Sequence, residues 1–513
     1  MLVRPKNILP LADLVWEKNI PQLGVGSPRL VDMNNDGTLD IFIGSGFEWS
    51  DDGESAMLLI NGRTGNIMWR TETPKSVYGT PVLIDINNDQ RLDVTVSGRF
   101  PDFYMMNGRD GDILWRLSEK NPNLSFLPCN FNSPVRIPDQ DGDGILDILV
   151  IQGGLADDVG HIKIYDYETG DVLVEKYNKK DVEESISEYL KKTDKKELLL
   201  KLCQGDVCEV KSIQRNLFER YTFDVFMSKL FFNQEGPGGR VYVISSKTGH
   251  VIRYFPVPNN RETWSIPVFF TFQERGIIVY GSGGERKDGY LLAQDYMTGK
   301  ELWHIKVKNK GIISSPIMII EKKIPIIIAT TMNGNIIKAN ALTGERIWDV
   351  SVGTEYETYS SPAVLKRDDG FDIVSIFSYG VWPKYQFAKI FILDSQTGTV
   401  RFSQKIGYCN AASSPIIADV DNDNKEDILL VTCADRQARL LVYNHEFKEI
   451  FSYDLKSGGF STPIISDIDN DTHLDIIVPR FHFMNRFRFK DQSTSLLPLH
   501  WNQYRGKNWS GRR

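Results

Sequence analysis

Five nine-residue stretches of the chain share the pattern D-x-[DN]-x-D-x-x-x-D: DMNNDGTLD from Asp32, DINNDQRLD from Asp85, DQDGDGILD from Asp139, DVDNDNKED from Asp419 and DIDNDTHLD from Asp467. A hard cation such as Ca²⁺ takes about six to eight oxygens at roughly 2.3–2.6 Å, and alternate side chains of a tight loop can supply them. Positions one, three, five and nine give Asp32, Asn34, Asp36 and Asp40; Asp85, Asn87, Asp89 and Asp93; Asp139, Asp141, Asp143 and Asp147; Asp419, Asp421, Asp423 and Asp427; and Asp467, Asp469, Asp471 and Asp475. Position seven adds a backbone carbonyl, at Thr38, Arg91, Ile145, Lys425 and His473. Up to five Ca²⁺ ions are expected. Without a cation, like charges crowded in each loop would raise carboxylate pKa values or splay the loop. Position six calls for left-handed backbone, which suits Gly37 and Gly144, is tolerated by Asn424, and fits Gln90 and Thr472 less well. The loops at Asp32 and Asp139 are therefore expected to close on metal most readily, and those at Asp85 and Asp467 least. A single acidic turn would be weak evidence; five in phase with a repeat are strong.

That repeat recurs every 46 to 53 residues through most of the chain. Eight units open at Pro28, Pro81, Pro134, Pro267, Pro316, Pro362, Pro415 and Pro463, each followed by an apolar strand. Second strands rich in β-branched residues follow, such as LDIFIGSG and EDILLVTC, and then a hairpin with a TG or DG turn whose outgoing strand often carries Trp, as in NGRTGNIMW and NALTGERIW. About four strands per unit, repeated radially, predict an all-β fold: a β-propeller of about eight four-stranded blades, seven being the alternative. The last unit lacks a TG hairpin, whereas LVWEKNI around Trp16 is an orphan strand, so the N-terminal strand is expected to complete the last blade and close the ring. The propeller is assigned to 14–480, with 481–513 a C-terminal extension packing on it or closing it. The long interval from Pro134 to Pro267 implies an insertion at about 176–236. Its sequence between 181 and 232 has apolar residues at helical spacing, which predicts two or three helices that form a lid or a docking arm.

Bulk properties exclude several classes. A net charge of −7 argues against a nucleic-acid partner and suits cation binding. No apolar run approaches the ~20 residues needed to span a bilayer, and no signal-peptide core is visible at the start. Peripheral or lipid anchoring remains compatible with such a chain. The five cysteines show no zinc spacing; Cys203 and Cys208 could close a short loop, and Cys409 with Cys433 is another candidate pair. No nucleophile elbow, HExxH or P-loop occurs. GSGGE at Gly281 to Glu285 reads as a simple turn, and RFHFMNRFRFK, 480–490, as an amphipathic outer strand, with a basic contact patch as the second reading.

The Asp-rich loops resemble the FG-GAP calcium repeats of integrin α-subunit propellers, and the TG-x-x-x-W hairpins look like the tryptophan-docking blades of quinoprotein, or PQQ-like, propellers. HWNQYRGKNWSG, 500–511, is similar to an element flanking bacterial repeat proteins. IIVYGSGGERKDGYL and ETYSSP are similar to FAM234-type ectodomains. The resemblance implies an extracytoplasmic protein at a cell surface, in a periplasm or secreted. The function expected is a non-enzymatic protein-binding, adhesion or envelope-scaffold module with structural Ca²⁺ and a protein or glycan ligand. The alternative is a PQQ-dependent oxidoreductase, against which the chain lacks the adjacent cysteines typical of such enzymes.

Overall fold

A computed structural model describes residues 11–492 and Gln503, apart from 47–53, 101, 125–128, 156–161, 176–178, 205–206, 215–238, 286–287, 369, 383, 408–411 and 433–437. Among the described residues the strands form nine antiparallel sheets, and eight of them carry the repeat in chain order. The first is built from Arg29–Val31, Asp40–Gly44, Ala56–Ile60 and Ile67–Glu72. The following six span 83–116, 129–256, 268–307, 317–351, 356–407 and 416–454. The eighth comprises Ile464–Ser466, His473–Pro479 and Phe483–Gln492, with Ala12–Asn19 paired on its outer edge. This is a β-propeller, and the N-terminal strand closes it as expected, from Ala12 opposite Phe489 to Asn19 opposite Phe483.

Burial explains the strand sequences. Middle strands such as Asp40–Gly44 and Ala56–Ile60 are buried at every position because each sheet is covered on both faces by its neighbours. Outer strands such as Glu301–Val307 alternate buried and exposed residues.

Two sets of contacts join successive sheets. The first is a belt of hydroxyls at the residue preceding each repeat proline. The Ser27 amide donates to Thr80 Oγ1, Thr80 N to Ser133 Oγ, Ser315 N to Ser361 Oγ, Ser361 N to Ser414 Oγ, Ser414 N to Thr462 Oγ1, and Thr462 N back to Ser27 Oγ. Ile266 N donates to Ser315 Oγ, but Ile266 has no hydroxyl to offer Ser133 in return. The second set is aromatic. Each tryptophan of an outer strand packs on the turn glycine of the next sheet and donates its indole N–H to a carbonyl there: Trp16 to Gly62, Trp69 to Gly108, Trp115 to Ser246, Trp303 to Ala341 and Trp348 to Ser395, at 2.9–3.1 Å. Only glycine fits: Gly344 has φ of +72°, and a Cβ there would lie 2.7 Å from the Trp303 ring. Phe255 replaces tryptophan against Gly299, and ring pairs Phe402–Phe447 and Tyr453–Phe487 complete the circuit.

The ninth sheet lies in the interval between Pro134 and Pro267, begins before the expected insertion, and corrects the helical reading of ELLLKL; residues 215–232, also read as helical, lie outside the described residues. Among the described residues of that interval one α-helix, Lys179–Lys192, is present. It buries Ile186 and Leu190, but the following ELLLKLCQ is a strand, Glu197–Gln204, paired with Val207–Gln214 and with Ile162–Asp166. A run of leucines in a hairpin with β-branched partners forms a strand despite its local helical spacing. The TG turn at Thr169 and Gly170, a weak copy of the repeat hairpin, joins two strands of this sheet and not of a repeat unit. Cys203 and Cys208 are register partners across the hairpin; Cys409 and Cys433 lie outside the described residues. The segment around 480–490 is the third strand of the eighth sheet and not its outer edge. Arg486 is 1% exposed, so the basic contact patch is not formed there.

Candidate metal centres and a carboxylate relay

In each four-stranded unit the connection between first and second strands and the turn between third and fourth lie at the same end. All five Asp-rich loops therefore share one face with the TG turns, and the sheet-to-sheet connections occupy the other.

The five loops fold alike. The position-one carboxylate caps backbone N–H groups: Asp32 receives Asp36 N at 3.2 Å and Gly37 N at 3.0 Å, and Asp419 receives Asp423 N at 3.2 Å and Asn424 N at 2.9 Å. Position five accepts the N–H of position seven, from Thr38, Arg91, Ile145, Lys425 and His473, at 2.8–3.0 Å. Position six has positive φ in every loop, including Gln90 at 66° and Thr472 at 74°. Position four does too, at Asn35, Asn88, Gly142, Asn422 and Asn470. This second requirement went unread in the sequence, although asparagine or glycine stands there in all five copies.

Position nine is the buried anchor. Asp40, Asp93, Asp147, Asp427 and Asp475 are each at most 1% exposed. One oxygen of each accepts a backbone N–H from its own loop, as Met33 N does to Asp40 and Val420 N to Asp427. In the first three sheets the other oxygen accepts an N–H from the neighbouring turn, from Gly62, Gly108 and Ser246. Burial, followed by the other aspartates of the loop, pushes Asp93 and Asp147 up to about 6 and Asp427 up to about 8; Asp40 and Asp475 are also raised. Asp427 Oδ1 is buried with no hydrogen-bond partner at all. A divalent cation would satisfy that oxygen and reverse the shifts, so the residues fit a hard metal ion.

Among the described residues, ligand oxygens of three acidic groups come within 4.8 Å of one another: Asp139, Asp141 and Asp147; Asp419, Asp421 and Asp427; and Asp467, Asp469 and Asp475. The Asp32 and Asp85 loops carry asparagine at position three, so their carboxylates alone form no such group. The third cluster is gathered around a different cation: Arg486 Nη2 lies 2.7 Å from both Asp469 Oδ2 and Asp475 Oδ2.

The opposite face holds a constellation that the sequence reading missed. Tyr359 donates its hydroxyl to Glu285, and Tyr385 donates to Glu357 at 2.5 Å. The two phenols are electrostatic neighbours, each giving its single hydroxyl proton to its own carboxylate. Glu357, buried at 1% exposure, also accepts Trp382 N at 3.1 Å and pairs with Lys310. Trp382 packs edge-on against Tyr359. The result is a cluster of two carboxylate–phenol pairs, one of them also holding an ammonium, built from sheet-to-sheet connections and the loops between second and third strands. Burial first, then the neighbouring carboxylates, raises both phenol pKa values, so the tyrosines remain proton donors. The sequence signals were GSGGE and ETYSSP, which supply Glu285, Glu357 and Tyr359 but lie 72 residues apart from Glu285 to Glu357 and meet only through the ring.

No protein-family model matches the chain, and no curated protein matches it. Solved structures do. A quinohemoprotein alcohol dehydrogenase from Comamonas testosteroni aligns over 94% of this chain and 78% of its own, with 11% identity and a TM-score of 0.55. A europium-containing methanol dehydrogenase aligns over 92% and 86%, with 11% identity and a TM-score of 0.52. Sqt1 of Saccharomyces cerevisiae aligns over 94% and 100%, with 9% identity and a TM-score of 0.50. At these identities the likeness shows the fold: a β-propeller of the kind found in quinoprotein dehydrogenases. It corrects the expectation that the chain is no enzyme, because the dehydrogenases align over more than nine-tenths of it. The missing cysteine pair does not exclude catalysis.

PQQ itself is a flat tricarboxylate that calls for cationic partners. At the relay itself the described groups are chiefly the carboxylates Glu285 and Glu357, with Glu262 beside Gly284 and Lys310 already paired with Glu357. That cluster does not fit PQQ. No described helix is long and apolar enough to cross a membrane.

Proposed function

We propose that this chain is an extracytoplasmic, eight-bladed propeller stiffened by Ca²⁺ on one face, with its working site at the carboxylate–tyrosine relay on the other. The observation that carries the metal reading is Asp427, a fully buried carboxylate with one unpartnered oxygen at the centre of an acidic loop. The FG-GAP resemblance agrees with it, and millimolar extracellular calcium suits loops of this modest charge. The relay suits a ligand rich in hydroxyl or amine groups, such as a glycan or a peptide side chain, because its carboxylates accept hydrogen bonds while Tyr359 and Trp382 offer ring faces.

A second reading, oxidation of an alcohol or sugar, is favoured by the dehydrogenase folds and by the two carboxylate–phenol pairs, which could accept or give a proton at a bound hydroxyl. One experiment addresses both. Calorimetric titration with Ca²⁺ should show binding that raises the melting temperature, and a dye-linked assay over a panel of alcohols and sugars, with and without added PQQ, should show any turnover. Turnover that is lost in Glu357→Gln supports oxidation; turnover that survives it removes the relay from the chemistry. Full chelation with no change in melting temperature would overturn the structural role of calcium.

A further inference from the structure

We infer that the Asp467 loop carries a permanent cation of its own, the Arg486 guanidinium backed by Arg488, so that four of the five Asp-rich loops take a divalent ion and the fifth does not. The inference rests on the metal reading above and refines it.

The cause lies in the missing hairpin. In the first three sheets the chain turns tightly after the third strand, and the turn presents a backbone N–H to the position-nine carboxylate. In the eighth sheet the third strand, Phe483–Gln492, runs straight past the loop because the fourth strand comes from the N-terminus. Its register sets Arg488 opposite Asp475 and Arg486 opposite Ile477. Both side chains then reach the carboxylates that would ligate a metal. Arg486 Nε lies 3.0 Å from Asp475 Oδ1, and its Nη2 bridges Asp469 and Asp475 at 2.7 Å. Arg488 Nη1 lies 2.8 Å from Asp471 Oδ2, its Nε 3.4 Å from Asp475 Oδ1, and its Nη2 pairs with Asp469.

Three of the four side-chain ligands are thereby engaged by donors. A guanidinium is charged at all accessible pH and holds carboxylates in a fixed fork. Expelling Arg486, which is 1% exposed, would leave a buried charge without partners unless the strand moved. The remaining nitrogen is engaged too: Arg486 Nη1 donates to Gly62 O at 3.2 Å, the carbonyl that also receives the Trp16 indole. The sheet that holds the two chain ends together is thus locked to the first sheet without metal, whereas the other loops depend on an ion.

The test counts Ca²⁺ bound to the full chain by native mass spectrometry. Four ions are expected for the wild type. Asp419→Asn should lower the count by one, and Asp467→Asn should leave it unchanged. Arg486→Gln/Arg488→Gln should raise it by one, and that added ion should be lost again on introducing Asp467→Asn. A wild-type count that falls on Asp467→Asn overturns the inference while leaving the metal reading intact. A chain that binds no ion at all overturns the metal reading itself. Should the double arginine variant fail to fold, the contrast between Asp419→Asn and Asp467→Asn decides alone.

Discussion

Asp427→Asn should stabilise the metal-free protein and at the same time abolish part of its response to calcium. In the free chain an aspartate titrates near 3.8, whereas burial among Asp419, Asp421 and Asp423 moves Asp427 up to about 8. Near neutral pH the folded, metal-free state therefore holds a proton that the unfolded chain has released. At ~1.4 kcal/mol for each pH unit between the free value and neutral pH, the cost to stability there is on the order of 4 kcal/mol. Asparagine has no such charge. Its oxygen can keep the Val420 N–H bond, but its amide hydrogens meet no acceptor, which costs about 1–3 kcal/mol. The expected balance is a gain of about 1–3 kcal/mol without metal. In calcium the ranking should invert, because the wild-type carboxylate binds the ion as an anion and the amide is a poorer ligand. Urea denaturation of both proteins, in chelator and in millimolar calcium, checks the crossing. A variant that is less stable than wild type in chelator, yet gains as much from calcium, would refute the reasoning.

Three further outcomes follow from the geometry. The raised carboxylates Asp93, Asp147 and Asp427 contribute stability that is complete below about pH 4 and is lost as the pH rises through about 6 and then about 8; metal-stripped protein should thus melt progressively lower across that window, and calcium should reverse the slope. Trp303→Ala removes a ring that is 8% exposed and docked on Gly344 together with its bond to Ala341 O, and should cost about 3–5 kcal/mol in urea denaturation. Tyr385→Phe takes one donor from buried Glu357 and should cost about 1–3 kcal/mol by the same measurement, with a larger proportional loss in any turnover or ligand binding that the relay supports.

The repeat was legible because it is written in local chemistry. A proline, an apolar strand, an Asp-rich loop and a TG turn each specify their own backbone, so the units, the loops and the N-terminal closure could be read directly. The loop residues at position four carry the same message more uniformly than those at position six: Asn or Gly at positive φ in all five copies, against Gln90 and Thr472 in two copies of position six. What the sequence does not display is contact across the ring. Ser27 and Thr462 are 435 residues apart yet share a hydrogen bond, and Glu285 meets Tyr359 across 74 residues of chain. Leucine-rich ELLLKL fits a helix or a strand by period, and only its pairing with Val207–Gln214 settles the choice.

The arrangement of the first three sheets explains why cation loops and tryptophan docking occur in the same repeat. Asp40 Oδ1 accepts Gly62 N–H, and Gly62 O accepts the indole of Trp16 from the adjacent sheet. The same sequence of bonds runs from Asp93 through Gly108 to Trp69, and from Asp147 through Ser246 to Trp115. One residue in each turn thus joins the buried carboxylate of a loop, through its N–H, to the tryptophan docked from the adjacent sheet, through its C=O. Fixing that carboxylate fixes the position at which the neighbour docks. Sheets that lack the Asp-rich loop keep the docking but anchor it otherwise, with Trp303 on Ala341 and Trp348 on Ser395. Losing a loop therefore leaves the ring intact, whereas losing the hairpin, as in the eighth sheet, removes the turn peptide and requires another donor for the position-nine carboxylate. Arg486 is that donor, and because it reaches Gly62 O as well it ties the eighth sheet to the same anchor on the first.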